Sequence, residues 1–156
     1  MDALFLGMTG EVWAIMGAAL AFFAAGAGSC IGMGQAGQAG AGVLTEEPGR
    51  FGPVMVLQAT NSTQAIYGFV IAFLILARIG DGTMDAQRGI TLFVAAIPIG
   101  IVGLISAIYQ GKISVAGMQM IAKRSEDMGR AIMLILMAEM FAIIALIVSI
   151  LIIGKA

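Results

Sequence analysis

Four long apolar runs, 11–44, 53–79, 89–121 and 129–154, take up most of the 156 residues and leave the chain few ways to fold. About 20 apolar residues at 1.5 Å each cross the hydrocarbon core of a bilayer. Every run reaches that length. The chain is 60% hydrophobic and only 11% charged, with a mean hydropathy of +1.03, too few charges to coat a water-soluble domain of this size. Lipid offers no partner to a backbone N–H or C=O, so each run reads as a helix that satisfies its own backbone. The fold class expected is all-α integral membrane, with four transmembrane helices. The first and third runs exceed what a bilayer requires. Their ends at 35–44 and 112–121, with Gln35, Gln38, Lys112 and Gln119, are expected to project into water.

Polar punctuation falls at TEEPGR (45–50), ARIGDGTMDAQR (77–88) and AKRSEDMGR (122–130). The two halves match at a constant offset of 77 residues: Gly26 with Gly103, Ser29 with Ser106, Ile31 with Ile108, Gly34 with Gly111, and Gly40 with Gly117. Gly52 with Gly129, Ala65 with Ala142 and Leu74 with Leu151 continue the series. An ungapped offset held across two helices and a loop points to duplication rather than to chance among small residues. Each half contains two spans, so the repeat is parallel rather than inverted. The predicted units are two fused, duplicated helical hairpins, residues 1–79 and 80–156.

Several function classes fall away. A net charge of −1 provides no nucleic-acid footprint. There is no His, the commonest metal ligand and proton shuttle, and the single Cys30 allows no internal disulfide. MDALFLGMTGEVW has no positively charged stretch ahead of its apolar residues, so a cleaved signal peptide is not expected. GMGQAG (32–37) is a literal G-x-G-x-x-G, but it sits inside an apolar helix and not after a strand, so a nucleotide site is not expected. Small residues let membrane helices approach closely. Glycines at 28, 32, 34, 37, 40 and 42 thin the first helix on nearly all sides, as suits a helix lining the inside of a tight ring. Gly100, Gly103, Gly111 and Gly117 repeat this in the third.

Glu139 is the only ionisable residue between 131 and 153. An ionised carboxylate at such a depth costs about 3 kcal/mol or more, so the site must protonate it or supply a cation. Its repeat partner is Ser62, which leaves one carboxylate for four helices. On the second helix Thr60, Thr63, Gln64 and Tyr67 recur at i, i+3, i+4 and i+7, along one face. The repeat places them at the depth of Glu139, and Gln110 joins them from the third helix. A neutral glutamic acid, with the other groups as interhelical glue, is the structural reading. A proton carrier needs only the carboxylate. A dehydrated hard cation needs several oxygens and one compensating charge, and the convergence here points to Na⁺.

The stretches TQAIYGFVIAFLI (63–75), YQGK (109–112) and AEMFAI (138–143) are those of a known family. Across its whole length the chain resembles the K subunit, the proteolipid or c-type rotor-ring subunit, of bacterial V-type ATPases, above all the Na⁺-translocating kind. The resemblance implies a homo-oligomeric ring of four-helix protomers that carries ions by rotation coupled to ATP hydrolysis elsewhere, with no catalytic residue of its own. It implies Na⁺ ligation by Thr63, Gln64, Gln110, Glu139 and the main-chain carbonyl of Thr60, with Tyr67 hydrogen-bonded to the glutamate. Where relatives have Pro-Gly or Pro-Ser, this chain has Asn61-Ser62, which leaves Thr60 the weakest of the assignments. The partners implied are a stator membrane subunit with an arginine, a central-stalk subunit in contact with loops 45–50 and 122–128, and surrounding lipid. An H⁺-translocating rotor is the alternative. A small multidrug-type exporter using a membrane glutamate is more remote, for such an exporter wants an aromatic-lined cavity. Arg50, Lys123, Arg124 and Arg130 outnumber Arg78, Arg88 and Lys155 at the other side, so the hairpin loops are expected on the cytoplasmic side of the cell membrane and the termini outside.

Overall fold

A computed structural model describes residues 4–5, 7–80 and 84–156; Asp81, Gly82 and Thr83 of the expected loop 77–88 lie outside the described residues. Leu4–Phe5 and Met8–Thr9 pair as a short antiparallel ribbon, with Gly7 at φ 74°, ahead of the first helix. The helices are α1 (Gly10–Glu46), α2 (Phe51–Ala59), α3 (Thr63–Leu76), α4 (Ala86–Lys123) and α5 (Met128–Ile153). Four helical spans, 10–46, 48–76, 86–123 and 125–153, are long and apolar enough to cross a membrane, as the apolar runs predict. The second span is not one regular helix. A 3₁₀ turn at Thr60–Ser62 separates α2 from α3 in the middle of the apolar segment.

The first helices of the two hairpins, α1 and α4, make the most extensive helix contact, with α3 packed on α1 and α5 on α4. Glycine permits this approach. A Cβ on Gly32 would stand 2.5 Å from the Ala107 carbonyl oxygen, and one on Gly111 would fall on the Gly32 Cα. The thin surface of α1 is therefore partly spent inside the protomer, where Gly28, Gly32 and Gly40 are buried. A Cβ on Gly34 or Gly42 would meet nothing within 4 Å, and both residues are exposed.

Two apolar clusters fill the interior. One gathers Ala14, Ala21, Ile71, Ile75, Leu92, Ile99 and Ile153 toward the chain termini. The other gathers Ala36, Val54, Leu57, Met118, Ile121 and Ile135 toward the hairpin loops. Between them lies a band of buried polar side chains: Ser29, Asn61, Gln64, Ser106, Gln110, Ser114 and Glu139. Pro98 lies inside α4, which runs on through it. The next N–H, that of Ile99, donates to the buried Ser149 hydroxyl at 3.3 Å, a neighbouring helix providing the acceptor.

The duplication extends into the hairpin loops with its charges exchanged. Arg50 Nε lies 2.5 Å from Glu47 Oε2, and Arg124 Nε lies 2.9 Å from Asp127 Oδ2. Glu47 and Arg124 are equivalent at the 77-residue offset, as are Arg50 and Asp127. Each loop thus keeps an i,i+3 ion pair of opposite polarity. Arg50 also donates to the Ile121 carbonyl, tying the first loop to the end of α4, and Asp127 takes a second arginine, Arg130, at 2.5 Å.

Candidate cation-binding site

The polar band is built around the break in the second span. The buried Asn61 side chain donates to the Leu57 and Gln58 carbonyls at 3.0 and 3.1 Å, and to Ser114 Oγ at 3.0 Å. An amide that bonds local carbonyls offers the backbone an alternative to the helical ladder. The 3₁₀ turn occurs at these residues, and its tighter winding re-aims the carbonyls that pass through it. The Thr60 carbonyl accepts from Gln110 Nε2 at 3.0 Å and from Thr63 Oγ1 at 3.1 Å. Asn61-Ser62, the departure noted in the sequence, therefore still yields a main-chain carbonyl directed at Gln110. Ser62 itself turns back onto the Ala59 carbonyl at 2.7 Å.

Gln64 and Gln110 are both fully buried and meet across the α3–α4 contact, Gln64 Nε2 donating to Gln110 Oε1. Thr63 Oγ1 also lies 3.3 Å from Gln64 Oε1, so its one proton is shared between that oxygen and the Thr60 carbonyl. Glu139, near the middle of α5, is 7% exposed, and its Oε1 accepts from the Tyr67 hydroxyl at 2.7 Å. Of the site residues expected from the sequence, Gln64, Gln110 and Glu139 thus lie in the buried band, and Thr60, Thr63 and Tyr67 are half-buried beside it. Thr60, Thr63, Gln64 and Gln110 form a continuous hydrogen-bonded chain, and Tyr67 with Glu139 forms a separate pair.

The link between the two groups is Ser106, which sequence reading did not single out. Its hydroxyl donates to the Ala138 carbonyl at 2.8 Å and accepts from Gln64 Nε2 at 3.3 Å. Ser29, its repeat equivalent, accepts from the Ala65 N–H at 3.0 Å. The only trace of either serine in the sequence is their match at the 77-residue offset. Beside Ser106 a groove of about 330 Å³ opens between α4 and α5, lined by Val102, Ile105, Ser106, Tyr109, Ala138 and Phe141.

Among the described residues no three His, Cys, Asp or Glu side chains cluster as metal ligands. The donor set is one carboxylate, neutral amide and hydroxyl oxygens and a backbone carbonyl, which suits a hard monovalent ion better than a transition metal. An apolar four-span protein with duplicated hairpins and a single midspan carboxylate in an oxygen-rich band has the build of an ion-carrying rotor subunit.

The chain belongs to the family of ATP synthase C subunits, the non-catalytic membrane rotor subunits of rotary ATPases, whose profile matches residues 16–75 and again residues 93–152. The starts of the two matches, 16 and 93, reproduce the 77-residue repeat. The chain is similar to the V-type sodium ATPase subunit K of Enterococcus hirae, 39% identical over 156 residues that span 100% of this chain and 99% of that one. It is also similar to the A-type ATP synthase subunit K of Methanocaldococcus jannaschii, 39% identical over 136 residues, covering 87% of this chain and 59% of that one.

Proposed function

We propose that this protein binds Na⁺ at Glu139 and carries it across the cell membrane as one protomer of a rotating homo-oligomeric ring. The observation that carries the reading is one buried carboxylate beside the bonded oxygens of Thr60, Thr63, Gln64 and Gln110, the two groups joined through Ser106 and the backbone just before Glu139. The likeness to a sodium ATPase subunit supports it. A bare carboxylate cannot face lipid cheaply, so a bound cation neutralises Glu139 while the protomer travels through the bilayer. A fixed positive charge favours the empty carboxylate, so a stator arginine releases the ion at its half-channel. Tyr67 holds the carboxylate in place during the exchange.

In this reading the functional units are hairpins 1–79 and 80–156, of which only the second carries the charge. The loops at 45–50 and 122–128 lie on the cytoplasmic side and meet the central stalk, and the termini lie outside. ATP is hydrolysed in other subunits. The proton-carrying alternative draws on a specific observation: Glu139 bonds Tyr67, whereas the two glutamines bond each other.

A carbodiimide that attacks the protonated Glu139 separates the two. Na⁺ is expected to slow labelling of the intact ring, with protection weakening as pH falls because protons and Na⁺ compete for one carboxylate. Gln110→Leu is expected to raise the Na⁺ required while labelling persists. Labelling indifferent to Na⁺ at neutral and alkaline pH contradicts the sodium reading and leaves the proton carrier.

A further inference from the structure

From the hydrogen-bond directions in the polar band, we infer that Ser106 is a positioning residue that sets which atom of Gln64 faces the ion. The inference rests on the Na⁺ reading of Glu139 and deepens it. A serine hydroxyl has one proton to give. Ser106 gives it to the Ala138 carbonyl at 2.8 Å, an oxygen that can only accept. Toward Gln64 the same hydroxyl can therefore act only as an acceptor. Gln64 must present its NH₂ group to Ser106, and its Oε1 is turned the other way, toward Thr63.

The direction propagates. The same Nε2 donates to Gln110 Oε1, which leaves Gln110 Nε2 to donate to the Thr60 carbonyl. The chain thus runs between two oxygens that can only accept, the Ala138 carbonyl acting through Ser106 and the Thr60 carbonyl acting through Gln110, and both demand the same orientation of Gln64. Ala138 directly precedes Glu139, so Ser106 also ties the α5 backbone at the carboxylate to the amide network of α3 and α4. Ser106 and Gln64 are both buried, and no bulk water competes for these bonds. An amide whose orientation is unset would offer the cation an N–H donor as readily as an oxygen. Ser106 and the Thr60 carbonyl together remove that choice before the ion arrives, and without Ser106 the orientation of Gln64 rests on its contact with Gln110. Its repeat equivalent does different work: Ser29 accepts from the Ala65 backbone N–H and contacts no amide side chain of the site through that bond.

The test uses purified intact rings and reads two curves on each variant. One is the Na⁺ concentration giving half-protection of Glu139 from carbodiimide. The other is the pH profile of labelling without Na⁺. Ser106→Ala is expected to raise the Na⁺ requirement about 3- to 10-fold, the equivalent of one hydrogen bond lost from a buried network. Its Na⁺-free pH profile should match the unsubstituted ring, because Tyr67 still holds the carboxylate. Ser106→Thr keeps the hydroxyl, has the groove beside α4 to receive its methyl group, and is expected to restore the ordinary requirement. Ser106→Cys, a poor donor, gives a second variant should the alanine ring fail to assemble, and is expected to fall on the alanine side. An unchanged Na⁺ requirement in Ser106→Ala, or equal shifts of both curves, would overturn the assignment, the latter marking general loosening of the site. Failure of Na⁺ to protect the unsubstituted ring is a distinct result, which defeats the ion reading and this inference with it.

Discussion

The Tyr67 hydroxyl donates to Glu139 Oε1 at 2.7 Å, joining the second and fourth membrane spans across the boundary between the two hairpins. This bond holds the only ionisable side chain in the middle of α5. A hydrogen bond to a charged acceptor contributes about 1.5–3 kcal/mol, more than one between neutral groups. Tyr67→Phe keeps the ring and removes the donor. It is expected to raise the Na⁺ needed for half-maximal protection of Glu139 by about 10-fold or more, the lower end of that range. Carbodiimide labelling itself should persist. An unaltered Na⁺ requirement would show that the tyrosine bond plays no part in the ion-bound state.

Glycine use on α1 divides into two kinds with separable consequences. At Gly32 a Cβ would meet the Ala107 carbonyl at 2.5 Å, whereas Gly34 has open space around it. Gly32→Ala is expected to push α1 from α4 and to destabilise the protomer by about 1–3 kcal/mol, as overpacking does. Thermal unfolding in detergent reads that loss. Gly34→Ala should leave protomer unfolding unchanged, and any effect should be confined to the distribution of oligomers in native mass spectrometry.

The exchanged ion pairs of the hairpin loops give a pH dependence outside the membrane. Its hydrogen bond with Arg50 holds the Glu47 carboxyl below its ordinary value of 4.5. A carboxyl with a lowered folded-state pKa contributes above its unfolded value and loses that contribution as pH falls through the folded one. The Glu47–Arg50 pair is therefore expected to persist through neutral pH and to be lost only below about 4.5. The Arg50 bond to the Ile121 carbonyl, which does not titrate, keeps the loop at the end of α4. The Glu47 carboxyl ¹³C shift, followed by NMR against pH, should titrate below the ordinary range. Glu47 should move into that range in an Arg50→Gln variant. An identical titration in both proteins contradicts the pairing.

Much of this architecture is legible in the residues because lipid narrows the possibilities. Runs 11–44 and 89–121 become α1 and α4, and the run 129–154 becomes α5, since an apolar segment of that length has no other way to satisfy its backbone. The 77-residue repeat was equally plain and reappears in the twofold family match. The break at Thr60–Ser62 was not legible. It depends on Asn61 reaching two carbonyls of its own helix and Ser114 of another, and neither Asn nor Ser marks such a break by propensity alone. Gln64, Gln110 and Glu139 stood out because polar groups are costly in an apolar run. Ser106 did not stand out, because a serine in a membrane helix is ordinary, and its importance lies in which of its two neighbours accepts the proton.

In the proposed function one carboxylate per chain, Glu139, binds Na⁺ with the help of the neutral oxygens beside it. Because Ser62 stands where the repeat would place a second carboxylate, the duplicated fold should hold one ion and not two. Equilibrium binding of ²²Na⁺ to the purified ring, measured across pH, tests both halves of the claim. The account predicts saturable binding of one Na⁺ per chain, weakening as pH falls and absent in Glu139→Gln. No saturable binding at alkaline pH, or two ions per chain, would contradict it.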